Sequence, residues 1–200
     1  LFEEVVERCI AEGLVGGEGF AVDASLIEAD ANRQRSVAAS EWKAPTETAS
    51  RSVREYLAVL EDNTWGAATE VQPKFISESD PAAQWTAAKD GPAIFAYSDN
   101  YLIDLRSAVI VDVEASRSVR QAEVGAAKVM IERTADRFGL KPDRLAADTA
   151  YGSAEMLNWL VKERKIAPRV PVIDKSARRD GTFAPTDFRY EESAVTYVCP

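Results

Sequence analysis

Histidine is absent from the 200-residue chain, and cysteine occurs only at Cys9 and Cys199. Without histidine, serine–histidine–aspartate and cysteine–histidine nucleophile systems are excluded, as are imidazole metal sites. The two cysteines lie far apart and lack the spacing of a metal site, a pattern typical of reduced thiols in the cytoplasm. Any metal must therefore be held by oxygen, which favours Mg²⁺ or Mn²⁺ over Zn²⁺.

A long apolar run is also missing, because nowhere do about eighteen apolar residues follow one another, and no membrane span is predicted. The sequence does not begin with methionine, and residues 1–4 do not resemble the start of a signal peptide. The closing residues, 196–200, resemble the middle of a strand. We therefore expect a fragment that is cut at both ends. Its length and its apolar content of 46% predict one soluble globular domain.

The net charge of −9 argues against a nucleic-acid partner, but the charges are unevenly distributed. Residues 1–30 hold eight acidic side chains and one basic side chain, whereas residues 162–179 hold seven basic and two acidic ones. One end is thus suited to metal and the other to DNA phosphates, although two solvated charged surfaces explain the pattern equally well. The basic residues are Lys162, Arg164, Lys165, Arg169, Lys175, Arg178 and Arg179.

Apolar spacing predicts a helix and then a strand at the start of the chain. Residues 1–13 repeat apolar side chains at helical spacing up to Gly13, and residues 20–22 form a short strand that ends at Asp23. Residues 30–92 are polar, with four prolines, and are interpreted as an insertion that is partly helix and partly loop. Within this insertion, residues 52–55 form a capping box that predicts a short helix.

Core-like sequence returns at residue 93, where three apolar, β-rich runs predict an antiparallel meander. A second capping box, at residues 118–121, predicts a helix that runs to Phe138 and stops at Gly139. The three runs cover residues 93–97, 101–105 and 108–113, with turns at residues 98–100 and 106–107.

The last part of the chain alternates again between strand and helix. Residues 144–147 predict a strand, Ser153 predicts the N-cap of a helix, and residues 166–173 predict an edge strand interrupted by prolines. Residues 188–190 and 194–198 predict the two arms of a hairpin. Together the segments predict an α/β fold in which helices cover a mixed sheet.

Two aspartates occur in the same local setting, since Asp23 and Asp148 each follow a short apolar strand and precede small residues. In α/β sheets, binding sites are built where strands end, so carboxylates at two neighbouring strand ends would converge. Convergent like charges favour a bound cation. The alternative is a turn-forming role, with Asp148 capping residues 149–151.

Three stretches resemble the catalytic domain of bacterial insertion-sequence DDE transposases. They are residues 13–25 (GLVGGEGFAVDAS), 79–81 (SDP) and 147–152 (ADTAYG). The resemblance covers nearly the whole chain. It implies a ribonuclease-H-like mixed sheet with flanking helices and an insertion after the first strand. It also places one catalytic aspartate on the first strand, matching Asp23, and the next after the fourth strand, matching Asp148.

The resemblance further implies the chemistry of the intact parent protein. Asp23 would bridge two Mg²⁺ or Mn²⁺ ions and Asp148 would hold one of them, for DNA strand cleavage and strand transfer. The partners would be terminal-repeat and target DNA, and the intact enzyme a homodimer. The family's third acid is a glutamate on a later helix, which we expect beyond Pro200, after a β insertion that begins at residues 175–200. The fragment alone is then expected to be inactive.

Other residues leave more than one interpretation open. Glu155 and Glu163 come too early in the chain to match the family's glutamate. Tyr151 is suited to stacking on a base or ordering the loop of Asp148, and equally to packing in the core. For the whole chain, the alternatives to a transposase are a ribonuclease-H-like nuclease without strand transfer and an inactive remnant that binds DNA or nothing.

Overall fold

The computed structural model describes residues 1–42, 54, 74–87, 91–171, 183 and 187–199. The chain divides into two compact units, residues 1–170 and residues 171–200. The first unit contains a six-stranded mixed sheet together with helices, so the predicted α/β class is confirmed. Among the described residues, the helices are all too short or too polar to cross a membrane.

The first unit contains three α-helices and eight strands within the described residues. In chain order they are α1 (Phe2–Ala11), β1 (Gly19–Glu28), β2 (Ser36–Ala38), β3 (Phe75–Ser77), β4 (Gln84–Ala87), β5 (Ala93–Asp104), β6 (Ile110–Arg117), α2 (Arg120–Phe138), β7 (Arg144–Ala146), α3 (Ala154–Asn158) and β8 (Ala167–Arg169).

The main sheet has the strand order β4-β5-β1-β7-β8, and β6 also pairs with β5. β5 is antiparallel to β1, β4 and β6, whereas β7 is parallel to both β1 and β8. β2 and β3 form a separate two-stranded sheet. The central strand β1 therefore has an antiparallel neighbour on one side and a parallel neighbour on the other.

β1 continues well past Asp23, so the predicted end of the strand at that residue is wrong. Nine residues pair with β5, from Phe20 opposite Asp104 to Glu28 opposite Ala96. Val22 is buried, whereas Asp23 and the later polar residues of the strand face solvent. A strand needs apolar side chains on only one face when the other face is open to water, which explains why the apolar run stops before the strand does.

β5 is also one strand where the sequence predicts two, because the turn predicted at residues 98–100 is absent. Ser98 and Asn100 are buried, and the Ser98 hydroxyl and the Asn100 amide nitrogen have partners, whereas Asn100 Oδ1 has none among the described residues. Ser98 Oγ donates to Glu123 at 2.8 Å, and Asn100 Nδ2 donates to the Glu114 carbonyl at 2.8 Å and to Ser116 Oγ at 2.9 Å. Buried polar groups that are hydrogen-bonded cost little, so the strand runs through them.

The long helix α2 packs against β5 and β6 and ends as predicted. Phe138 is its last residue, and Gly139 follows in the left-handed conformation with φ of 67°. The predicted capping box is wrong, because the helix begins at Arg120 and the N-cap position falls on Val119, whose side chain accepts no hydrogen bond. Ser118 lies one residue too early to cap it.

Arg133 fastens α2 to β6. Its guanidinium donates to Asp112 at 2.8 Å, to Glu114 at 2.7 Å and to the Val113 carbonyl at 3.0 Å. The side chains of Arg133 and Asp112 are only 26% and 10% exposed, so this ion-pair cluster is largely shielded from solvent. The helix is thus held at a fixed position on the sheet by both apolar packing and a partly buried charge cluster.

The core lies between the sheet and its helices and includes Phe20, Leu102, Met130 and Leu145. After β7 the chain makes a 3₁₀ turn and enters α3, where Ser153 Oγ accepts from the Met156 amide at 3.1 Å. This confirms the predicted N-cap. The helix continues as a π-helical segment, Trp159–Arg164, before the edge strand β8.

The segment predicted as an insertion contributes directly to the main sheet. β4 pairs with the first four residues of β5, with Gln84 opposite Ala96 and Ala87 opposite Ala93. The predicted helix at residues 52–55 lies outside the described residues, apart from Arg54.

The second unit contains a short hairpin, as predicted. Its strands are β9 (Arg189–Glu191) and β10 (Thr196–Val198), and they pair in antiparallel fashion with Tyr190 opposite Tyr197. Of the predicted DNA-binding residues, Lys175, Arg178 and Arg179 lie outside the described residues.

Candidate functional site

The parallel pairing of β1 with β7 positions the two predicted aspartates. Ala21 lies opposite Ala146, so two further residues along each chain lead to Asp23 and to Asp148. Both side chains line one cavity of about 700 Å³. The structure therefore brings together the two carboxylates that the sequence singled out.

Each aspartate is anchored by one backbone amide. Oδ1 of Asp23 accepts from the Ala24 amide at 2.8 Å, and Oδ1 of Asp148 accepts from the Ala150 amide at 2.8 Å. The second bond caps the 3₁₀ turn Thr149–Tyr151, so the turn-forming role considered for Asp148 is present. Both residues are exposed, and Oδ2 of neither accepts a hydrogen bond from a described residue. One oxygen of each thus remains available to a ligand.

A third carboxylate, which the sequence did not predict, lines the same cavity. Glu123 lies in the first turn of α2 and accepts the hydrogen bond from Ser98. Burial raises the pKa of its carboxyl, and the negative charges of Asp148 and Asp23 raise this pKa further. Locally, Glu123 is an ordinary first-turn acid of the kind that the helix dipole favours, so only the tertiary fold reveals its position.

Tyr151 closes the inner wall of the cavity. Its side chain is 3% exposed and belongs to the hydrophobic core, so the packing alternative is correct for the ring. The hydroxyl, however, is buried without a hydrogen-bond partner among the described residues. Burial raises the pKa of this phenol, and the charges of Glu123, Asp148 and Asp23 add to the shift. An unpartnered donor is therefore held where three carboxylates act on it.

Replacing Tyr151 by Phe is expected to raise the free energy of unfolding of the chain by about 1 kcal/mol, because it removes a buried hydroxyl without a partner. The matched control is Tyr97→Phe, which removes a hydroxyl that donates to Asp80 at 2.6 Å and should lower the free energy of unfolding by about 1 kcal/mol. Urea denaturation measures both values. Equal destabilisation by the two variants would show that the Tyr151 hydroxyl has a partner.

The cavity carries a negative charge excess among its described residues. Arg120 is the basic side chain among those that line it, against three acidic ones. Its charge lowers the pKa of Glu123 but is outweighed by burial and by the two aspartates. The local field therefore favours a cation over an anion.

The donors around the cavity fit a hard divalent cation in chemical type. Carboxylate oxygens are the ligands that Mg²⁺ and Mn²⁺ prefer, and the free Tyr151 hydroxyl is a further oxygen that lacks a partner. Across the described segments, no three acidic, cysteine or histidine side chains lie close enough together to form a ready-made metal site. The residues that line the cavity thus supply oxygen atoms of the right chemical type.

The described part of the basic segment lies on the π-helical segment and on the edge strand. Lys162, Arg164, Lys165 and Arg169 are exposed. Arg164 forms an ion pair with Glu132 and its guanidinium carbon lies 5.1 Å from the centroid of the Trp159 ring. Arg169 pairs across β8 and β7 with the residue two positions before Asp148. Of these four residues, Arg169 thus lies on β8, next to β7, the strand that leads to Asp148 and the cavity.

Comparison of the chain with protein-family models, with curated proteins and with solved structures gives no match. The family resemblance remains a prediction made from motifs. The function is therefore argued from the geometry and chemistry of the cavity.

Proposed function

We propose that the chain is part of the catalytic domain of an insertion-sequence DDE transposase with a ribonuclease-H-like fold. The observation that carries the proposal is the placement of Asp23 on β1 and of Asp148 just after the parallel neighbouring strand β7, with both side chains lining one cavity. Two carboxylates that converge on a solvent-accessible cavity are the arrangement that holds divalent cations for phosphodiester chemistry.

The strand positions support this proposal. With the strands of residues 30–92 left aside, the sheet contains β1, β5, β6, β7 and β8 in chain order. Asp23 then lies on the first strand and Asp148 follows the fourth, which are the places where the family carries its first two acids. The Ser79-Asp80-Pro81 element precedes β5, also as in the family, and Asp80 accepts a hydrogen bond from Tyr97.

In the proposed mechanism, Asp23 and Asp148 would hold the cations through their carboxylate oxygens. Two Mg²⁺ or Mn²⁺ ions would supply activation of the attacking water or hydroxyl and stabilisation of the leaving oxygen. The backbone amides of Ala24 and Ala150 orient the carboxylates, so little reorganisation is needed when a ligand binds. The substrate is DNA, cut at the element's end and joined through the freed 3′-hydroxyl to target DNA by a homodimer.

Contacts to the DNA backbone are proposed for the exposed basic residues of the π-helical segment and β8. Phosphate contacts of this kind give affinity that does not depend on sequence and weakens as salt rises. By the family resemblance, residues 175–200 would begin the β insertion that precedes the family's glutamate.

The test is a strand-cleavage and joining assay with a longer chain that continues past Pro200, on duplex DNA carrying the element's terminal repeats. Mg²⁺-dependent cleavage followed by joined DNA is the expected result. Nicked DNA without joined product would contradict the transposase and support the alternative of a ribonuclease-H-like nuclease without strand transfer. Absence of both products would contradict a catalytic role and would support the alternative that the protein is an inactive transposase remnant.

A further inference from the structure

We propose that Arg106 and Arg144 form a phosphate-binding site in a second cavity of the first unit. This cavity, of about 400 Å³, is lined by both arginine side chains and by residues of the glycine-rich stretch 16–19. Gly19 and Arg144 are the first residues of β1 and β7, and Asp23 lies four residues further along β1, or about 13 Å. The site is therefore separate from the two aspartates and does not depend on the function proposed for them.

Two glycines fix where the arginine side chains lie. A Cβ atom on Gly19 would come within 2.9 Å of Arg144 Nε and 3.4 Å of its guanidinium carbon, so this guanidinium lies directly over the Gly19 backbone. A Cβ atom on Gly16 would come within 3.0 Å of Arg106 Cδ, so the aliphatic stem of Arg106 lies over Gly16 in the same way. The motif at residues 13–25 thus carries glycines that make room for two cationic side chains.

Both guanidinium groups lack a carboxylate partner. Arg106 and Arg144 are exposed, and neither side chain forms an ion pair or a hydrogen bond with a described residue. Two like charges that line one cavity repel each other, and an anion bound between them removes this repulsion. Four other arginines of the first unit each pair with a carboxylate, namely Arg8, Arg133, Arg137 and Arg164.

The two acidic side chains of the cavity do not neutralise these arginines by pairing with them. Asp104 is fully buried and accepts two backbone amides, from Gly17 at 2.7 Å and from Arg106 at 2.9 Å. Asp104 therefore ties the loop before β1 to the turn after β5 and shapes the cavity. Glu18 is exposed and forms no ion pair with a described residue, so its carboxylate is the group with which an incoming anion competes.

The donors of this cavity suit a phosphate group. A guanidinium presents several N–H donors in one plane and binds phosphate oxygens in pairs, and two such groups match the double charge of a phosphate better than the single charge of a carboxylate. Residues 19 and 23 of β1 lie on the same face of the sheet, because side chains alternate along a strand. The phosphate can thus come from a DNA backbone that follows this face or from a free phosphate compound.

The experiment titrates the 200-residue chain with inorganic pyrophosphate in a calorimeter, at low ionic strength and without divalent cations. Arg106→Gln and Arg144→Gln should each weaken binding by about tenfold, because a hydrogen bond to a charged group contributes about that much. The matched control, Lys141→Gln, removes the same charge from an exposed residue that does not line the cavity, and it should leave binding unchanged. Asp23→Asn should also bind as the unaltered chain does, so failure of the proposed function leaves this result in place.

Two further variants test the geometry and the competing acid. Gly19→Ala keeps every charge, but the added Cβ displaces the Arg144 guanidinium and should weaken binding as Arg144→Gln does. Because the displaced atoms lie at the far end of a flexible side chain, the fold should be kept, which far-UV circular dichroism checks. Glu18→Gln removes the competing carboxylate and should strengthen binding by up to about fivefold, the upper range for an exposed charge pair.

A second arm identifies the source of the phosphate. Binding of a short fluorescent duplex DNA of arbitrary sequence is measured by anisotropy with the same variants. If the two arginine variants weaken binding of DNA, with or without an effect on pyrophosphate, the site accepts backbone phosphates. If they weaken binding of pyrophosphate alone, the ligand is a free phosphate compound.

Three results would overturn the proposal. The first is an unaltered chain that binds neither DNA nor pyrophosphate at millimolar concentration. The second is unchanged binding of both ligands in Arg106→Gln and Arg144→Gln, or in Gly19→Ala, which decides if an arginine variant does not fold. The third is equal weakening by Lys141→Gln, which would reduce the effect to net charge.

Discussion

Asp23→Asn is expected to lower the proposed Mg²⁺-dependent strand cleavage by about 1000-fold when it is measured on a longer chain that includes residues after Pro200. Asp23 lines the cavity beside Asp148, and its Oδ2 has no protein partner among the described residues. Loss of a carboxylate ligand removes several kcal/mol of transition-state charge stabilisation, and about 4 kcal/mol corresponds to about 1000-fold in rate. The exposed position of Asp23 means that the isosteric amide leaves the fold intact.

The matched control for this variant is Asp30→Asn. Asp30 is an exposed aspartate just beyond the end of β1 and does not line the cavity of Asp23. The Asp30→Asn variant should cleave DNA at the same rate as the unaltered chain. Single-turnover cleavage of labelled duplex DNA measures all three proteins, and Mg²⁺-dependent cleavage that survives in Asp23→Asn would remove Asp23 from the site.

Arg133→Met is expected to lower the free energy of unfolding by about 3–5 kcal/mol. The guanidinium is the partner of both Asp112 and Glu114, whose side chains are only 10% and 20% exposed. Removing one member of a buried ion-pair cluster leaves the other charges without compensation, and this costs more than the loss of the contact itself. Urea denaturation followed by circular dichroism gives the value.

The control lies one turn further along the same helix. Arg137 pairs with Glu3, and these side chains are 48% and 55% exposed, so Arg137→Met should cost less than about 1 kcal/mol. If both arginine variants lose the same small amount, the cluster at Arg133 is as well solvated as a surface pair. Because α2 also carries Glu123, a large effect at Arg133 would show how firmly that carboxylate is held against the sheet.

The sequence was informative where apolar spacing decided the structure. α1, the end of α2 at Gly139 and the N-cap at Ser153 follow local rules, and the structure contains all of them. The sequence was misleading at Ser98 and Asp23, where polar residues suggested a turn and a strand end but lie within strands. Ser98 stays in β5 because a helix distant in sequence supplies its partner, and no local pattern contains that information.

The residues of the candidate site likewise include some that the sequence predicted and one that it did not. Asp23 and Asp148 were predicted because each follows an apolar run, and the register of β1 with β7 brings their strands side by side. Glu123 was missed because its place in the cavity depends on how α2 crosses the sheet and on its bond to Ser98. Residues that reach a site from a packed helix carry no sequence signal beyond an ordinary helical turn.

The succession of two strands along one side of β5 has a further consequence, for solubility. β4 pairs with Ala93–Ala96 and β6 takes over at Tyr97, while β1 covers the other side of β5 from Ala96 onward. Without β4, the first residues of β5 would present unpaired amides and carbonyls, and exposed strand edges of this kind recruit other chains and promote aggregation. β4 pairs these backbone groups and becomes the edge of the described sheet itself, and a strand of only four residues offers other chains a shorter edge to pair with.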